Sequence, residues 1–266
     1  MNDSSFRRWN AVRAIFIVAP LLMWPFGASA QLKVLISGGF SGPYEKLLPE
    51  FERTAGIKIA TGSGSSQGTG PQTIAAQLSR GVPADVVILS REGLNELIAA
   101  HRIADGTDVD LARTPLGVAV RAGAAKPDVS TVEAFKQVVL SSKAVAIPSS
   151  TSGIFLTKDV FPRLGIADRV NVKATPRGTG AAAMVAAGEA DIAVMPVSEI
   201  VHAPGVDLAG VIAEEIQLNQ VFAAAVLAGS NEVEAARRLI AFLASERAFG
   251  AIRDSGMEPL AKRRPG

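Results

Sequence analysis

LKVLISGGFSGPYEKLLPEFERTAG, residues 32–56, decides the fold of this chain. Residues 32–36 are a β-rich run that ends in a loop of small residues, Ser37-Gly38-Gly39-Phe40-Ser41-Gly42. A helix follows with Pro43 in its first turn, where a missing N–H breaks no bond. Tyr44, Leu47, Leu48 and Phe51 recur at helical spacing, and Gly56 marks the stop. Strand, glycine-rich loop and helix N-terminus aim free backbone N–H groups and a positive dipole end at one point. That point suits an anion.

The unit recurs along the chain. Residues 57–61 form a second strand, followed by Gly62-Ser63-Gly64-Ser65-Ser66-Gln67-Gly68-Thr69-Gly70 and a helix that Pro71 opens and Gly81 stops. Gly62, Gly64 and Gly68 do not have dinucleotide-loop spacing, and no Lys-Ser/Thr follows to make a phosphate loop. At a strand-to-helix junction the stretch reads as a ligand loop, the alternative being a flexible surface loop. Residues 86–89 are a buried, parallel-type strand that delivers Ser90-Arg91 to the end where open α/β sheets bind ligands, and a helix over 92–100 follows.

Further on, strand 116–121 and helix 131–140 precede strand 145–147, which feeds Pro148-Ser149-Ser150-Thr151-Ser152-Gly153 and helix 154–164. Strand 170–174 runs into Thr175-Pro176-Arg177-Gly178-Thr179-Gly180 and an Ala-rich helix, and strand 192–195 into Pro196-Val197-Ser198. A last strand, 221–227, and an amphipathic helix, 232–244, close the pattern, with 248–255 extending it. The alternation predicts an α/β fold of two lobes, each a mostly parallel sheet flanked by helices, with a ligand cleft between them. Residues 31–113 and 221–266 make lobe 1 and residues 114–220 lobe 2, and the cleft closes by hinge motion.

The first thirty residues read as a signal peptide: Arg7, Arg8 and Arg13, a short apolar core, then Ala28-Ser29-Ala30 as a cleavage site. The apolar run, broken by Pro20 and Pro25, is short for a membrane span. This points to the periplasm. With no Cys, the chain has no lipoprotein anchor, disulfide or cysteine metal site. The full chain carries 27 Lys+Arg against 25 Asp+Glu, and the leader removes three Arg and one Asp, leaving 24 against 24. Neither nucleic acid nor an anionic membrane is therefore indicated as a partner, and the tail Lys262-Arg263-Arg264 reads as solvated.

Few residues suggest catalysis. Ser41 lacks the spacing of a nucleophile elbow, no His/Asp/Glu cluster has metal-ligand spacing, and no cofactor motif is present. Of the two His, His101 reads as surface and His202 as structural, while Glu189 and Asp191 flank a turn.

Several segments resemble the periplasmic molybdate/tungstate-binding proteins of ABC transporters: Arg80-Gly81-Val82-Pro83-Ala84-Asp85-Val86-Val87-Ile88, Ser152-Gly153-Ile154-Phe155, and Gly188-Glu189-Ala190-Asp191-Ile192-Ala193-Val194 with Ser198-Glu199. The resemblance implies the two-lobed type II solute-binding fold. Departures bear on the ligand: where the family carries a first-loop Ser this chain has Gly39, flanked by Ser37 and Ser41. The family's Tyr donor falls near Pro196, and Gln67-Gly68-Thr69-Gly70 enlarges the second loop. Losing two side-chain donors while enlarging a loop suggests a bigger ligand than a tetrahedral dianion, since unmatched buried donors and charges are costly. The Ser-Gly-Gly-Phe opening and residues 121–128 resemble a divergent branch, the periplasmic aconitate isomerases.

The expected function is capture of a small anion, an oxyanion or polycarboxylate, by a monomer that serves a membrane ABC permease. The alternative is an aconitate isomerase in the same cleft, and molybdate binding with altered loops stays open. Candidate ligand residues are Ser37, Gly38, Gly39, Phe40 and Ser41; Ser65, Ser66, Gln67, Gly68 and Thr69; Ser150, Thr151, Ser152 and Gly153; and Gly178, Thr179 and Ser198. Arg91 and Arg177 are the candidate carboxylate donors, against the alternative of solvated surface charge. An isomerase needs one base to move a proton, and Tyr44, Glu199 and His202 are the candidates.

Overall fold

A computed structural model describes residues 31–260. The signal-peptide stretch and the basic tail lie outside the described residues. In chain order come β1 (Gln31–Ile36), α1 (Ser41–Ala55), β2 (Lys58–Ser63), α2 (Ile74–Ser79), β3 (Val86–Ser90), α3 (Arg91–Ala99) and β4 (Val109–Thr114). The chain continues with β5 (Leu116–Arg121), α4 (Val132–Ser141), β6 (Val145–Pro148), α5 (Thr151–Phe155), α6 (Phe161–Arg163), β7 (Val172–Thr175), α7 (Gly178–Ala187), β8 (Ile192–Pro196) and β9 (Val206–Val211). It ends with β10 (Gln220–Val226), α8 (Val233–Leu243), α9 (Phe249–Asp254) and β11 (Glu258–Pro259).

These strands build two sheets, ordered β11-β4-β10-β3-β1-β2 and β7-β6-β8-β5-β9. In the first, β1 pairs in parallel with β2 and β3, and β10 returns antiparallel between β3 and β4. In the second, β6 is parallel to β7 and β8, and β5 is antiparallel to β8 and β9. The period-2 alternation of side chains puts Val34, Ile36, Val86 and Ile88 into one core and Leu35, Val87 and Leu89 into another on the opposite face. The second sheet divides likewise, Val118, Val145 and Val194 on one face and Ala119, Ala146 and Ala193 on the other. That alanine face admits the Ala-rich α7 closely, through Ala181, Ala182 and Val185.

Caps set the helix bounds. Thr73, Ser90 and Thr131 each accept a backbone N–H of the following helix, at 3.1, 3.2 and 3.1 Å. The helix placed at Pro71 thus begins at Ile74, because Thr73 supplies the cap and Pro71 lies in the preceding turn. The helix placed at 154–164 begins at Thr151 and runs through a π turn, Leu156–Val160. Gly56 closes α1 at φ 68°, the left-handed conformation its stop signal implies. The sequence pattern did not show β4, β9 and β11, whose hydrogen bonds come from remote partners.

The chain passes between the sheets twice, at 114–116 and at 217–220. Gln217 ties the two crossings together. Its Oε1 accepts the N–H groups of Leu116 (2.7 Å) and Leu218 (2.9 Å), and its Nε2 donates to the carbonyls of Leu116 and Ile212. Gln217→Ala leaves the Leu116 N–H without this partner and is expected to cost about 1–3 kcal/mol. The calorimetric melting midpoint should drop by roughly 3–10 °C; an unchanged midpoint would show that the clamp contributes nothing.

Candidate functional site

The C-terminal ends of strands from both sheets, with the start of the antiparallel β10, converge on one cleft. Lobe 1 contributes Ser37, Gly38 and Gly39 after β1, Ser65 and Ser66 after β2, and Gln220 and Phe222 from β10. Lobe 2 contributes Pro148, Ser150, Thr151 and Ser152 at the β6–α5 junction, Pro176, Arg177 and Gly178 before α7, and Pro196 and Glu199 after β8. The lobes touch directly. Ser65 Oγ donates to the Pro176 carbonyl (2.6 Å), the Gln67 N–H to Ser150 Oγ (3.2 Å), and Ser90 and Thr151 share a buried hydroxyl–hydroxyl bond (2.7 Å). The space between the lobes is about 20 Å³, the size of one water rather than a polyatomic anion.

Unpaired polar atoms gather here. Among the described residues, Ser37 Oγ, Arg177 Nε, Ser198 Oγ, Gln220 Oε1 and Glu92 Oε2 are buried without a hydrogen-bond partner. Ser37, Arg177 and Gln220 line the cleft, and Ser198 adjoins it beside Glu199. Buried polar groups are normally paired, so this convergence makes these atoms the candidate ligand contacts. A larger concavity of about 900 Å³ between Val109 and α8, lined by Arg237, Ala241 and Phe249, carries none of these atoms.

Glu199 is the most perturbed acid. Its carboxyl is pushed up to about 7, chiefly by desolvation, against the opposing pull of the Arg177 guanidinium and the Gly178 N–H. Two glycine backbones flank it: a methyl group at Gly38 would overlap Glu199 Oε1, and one at Gly178 would stand 2.6 Å from Glu199 Cδ and Oε2. Gly39 makes room for the Phe222 ring in the same way. Raising a carboxyl on folding destabilises the ionised form, so stability is greatest below about 4.5 and falls as pH rises towards 7. The whole shift corresponds to roughly 3 kcal/mol, and the side chain keeps some exposure, so about 2 kcal/mol is expected. Denaturant unfolding of Glu199→Gln and wild type should show the variant's relative stability rising by that amount between pH about 4.5 and about 8. A constant difference would refute the assignment.

The other candidates divide. Phe40 and Tyr44 are buried in the lobe 1 core. The Tyr44 hydroxyl is pushed up to about 12 by burial and bonds Thr61 (2.7 Å), so it is no base for the cleft. Ser41 caps locally onto the Gly38 carbonyl. Arg91 does not line the cleft: its guanidinium pairs with Asp108 (2.8 Å) and Asp110. Gln67 spends its side chain on Glu96, Gly68 packs against the Ser149 carbonyl, and Thr69 and Thr179 are exposed. Gly153 packs under Pro148 rather than lining the cleft. His202 is exposed and faces the Asp254 carbonyl across the lobes (2.9 Å). The sequence pattern does not single out Gln220 or Phe222: Phe222 lies in the apolar strand 221–227, and Gln220 stands just ahead of it, a polar residue at the strand head that is the available signal.

The family model described as bacterial extracellular solute-binding protein matches residues 32–258. The chain belongs to that family. An aconitate isomerase from a Pseudomonas species is 37% identical to this solute-binding protein over 234 residues, covering 86% of this chain and 88% of that one. The periplasmic molybdate-binding protein of Azotobacter vinelandii has the same fold, with a TM-score of 0.63 at 18% identity, over 87% of this chain and 100% of the other. The sulfate-binding protein of Mycobacterium tuberculosis H37Rv superposes with a TM-score of 0.66 at 18% identity, over 86% and 87% of the two chains. These neighbours show the two-lobed fold of the solute-binding protein and leave its ligand to the site itself. Among its described residues no helix is long and apolar enough to cross a membrane, and no cluster of His, Asp and Glu could hold a metal.

Proposed function

We propose that this solute-binding protein captures a small carboxylate anion by lobe closure in the periplasm and passes it to an ABC-type permease. The observation that carries this reading is Arg177, whose buried, unpartnered Nε faces the same cleft as the unpartnered Ser37 hydroxyl and Gln220 carbonyl. A planar guanidinium fork suits a carboxylate, and Pro196 takes from the cleft wall a donor that a ring around a tetrahedral dianion would use. The test is a thermal-shift panel of molybdate, tungstate, sulfate, phosphate, citrate, and cis- and trans-aconitate. A ligand at a hundredfold its Kd adds ~2.7 kcal/mol and should raise the midpoint by roughly 5–10 °C. Shifts with the tricarboxylates support the reading. Shifts with molybdate or tungstate alone, or no shift at all, overturn it.

A second reading, allylic isomerisation of aconitate, is favoured by Glu199 together with the 37% identical relative. The ionised Glu199 would remove a proton from the allylic CH2, the C–H electrons would move through the double bond into the adjacent carboxylate, and the proton would return at the far carbon of the allyl unit. Arg177 and the Gly178 N–H would stabilise the enolate-like charge. Proton NMR of cis-aconitate with the protein tests this directly: absence of the trans isomer removes the isomerase and leaves capture standing.

A further inference from the structure

We propose that the cleft takes up a proton together with its anion, and that Glu199 is the group that holds it. This rests on the capture reading above. The closed cleft places Glu199 in the wall with Arg177, the cation that would meet the ligand. The carboxyl is wedged between the backbones of Gly38 from lobe 1 and Gly178 from lobe 2, so closure surrounds it from both sides. Neither of these residues is ionisable, and Arg177 is the one charged group that acts on Glu199. No ion pair within 4.0 Å involves Glu199 among the described residues. His202, three residues further on, bonds the Asp254 carbonyl instead.

One fixed cation is divided between two negative groups when both face it. When an anion engages Arg177, the carboxylate loses its share of that positive charge and gains a like charge beside it, in a desolvated site. The balance is restored by a proton from solvent, which joins a Glu199 carboxylate oxygen; no other bond is made or broken. A neutral Glu199 can then donate to the anion, where an ionised one could only repel it. The ordinary elevation of this carboxyl to about 7 puts the exchange near neutral pH. Uptake of this proton favours capture over isomerisation, because a Glu199 that is protonated in the complex cannot abstract a proton from the ligand.

The test is isothermal titration calorimetry with cis-aconitate and with citrate at several pH values between about 7.5 and 9, above the ordinary carboxylate range, so that the protein supplies the titration. Each pH is measured in HEPES and in Tris, whose ionisation enthalpies differ. The expected result is a Kd that weakens with rising pH by up to about tenfold per unit, with proton uptake approaching one per ligand. Glu199→Gln should show a flat profile and no uptake. Buffer-independent enthalpy with a pH-independent wild-type Kd overturns the proposal while the capture reading survives. Binding of neither ligand at any pH overturns both. If the variant does not fold, the wild-type buffer comparison alone decides.

Discussion

Arg177→Ala should weaken binding of a tricarboxylate by two to three decades, about 3–4 kcal/mol. Among the described residues the guanidinium is the one cation lining the cleft, its Nε is buried without a partner, and its field reaches Glu199. Truncation removes charge-assisted hydrogen bonds to the ligand and leaves a negative group in a wall that keeps only neutral donors. Arg177→Lys should recover little, since a point charge on a flexible stem does not reproduce the planar fork. The fold should be unharmed, because Arg177 is half-buried in a loop and makes no ion pair within 4.0 Å among the described residues. Calorimetry therefore reads affinity, and an unchanged melting midpoint separates this from unfolding. Retention of wild-type affinity in Arg177→Ala would remove the guanidinium from the site.

Gly153→Ala should be the most damaging small substitution to the fold. Gly153 lies in the first turn of α5, directly against the end of β6. A methyl group there would overlap the Pro148 carbonyl oxygen and stand 2.9 Å from its carbon, and these are backbone atoms with no side-chain rotamer to relieve them. Either β6 shifts in its sheet or the helix start unwinds. The expected destabilisation is about 3 kcal/mol or more, roughly 6–12 °C in the melting midpoint. Because Ser150, Thr151 and Ser152 line the cleft on this same turn, ligand affinity should fall with it. Gly70, whose added methyl meets nothing within 4 Å, is the control: Gly70→Ala should leave the midpoint near wild type. A stable Gly153→Ala protein with intact binding would show that the close approach is not required.

Much of this was legible in the residues. Apolar runs such as Val86-Val87-Ile88-Leu89 announce strands buried on both faces, and the run does divide between two cores. Small-residue loops at strand ends announce helix N-termini crowded against a cleft, and Ser37-Gly38-Gly39 and Thr151-Ser152 lie there. Such signals are local: strand periodicity, caps and stop glycines depend on residues within a few positions of one another. Of the three strands that the pattern does not show, β4 and β9 have mixed composition and are ordered by partners about a hundred residues away, and β11 pairs with β4.

The two arginines mark the boundary between the kinds of information. In sequence, Arg91 and Arg177 are equivalent: each sits at a strand-to-helix junction. Asp108 and Asp110, brought up beside α3 by the fold, take Arg91 out of the cleft, while Arg177 stays in the cleft wall with its Nε unpartnered. Glu199 and Gln220 belong to the same class. Their environments are made by Gly38, Gly178 and the second crossing of the chain, all distant in sequence. The sequence by itself thus determined the alternating α/β order, several of the loops that line the cleft and the family. Only the tertiary structure decided which charges meet in the cleft, because burial and pairing are properties of two lobes in contact, and the Glu199 carboxyl is flanked by backbone from both.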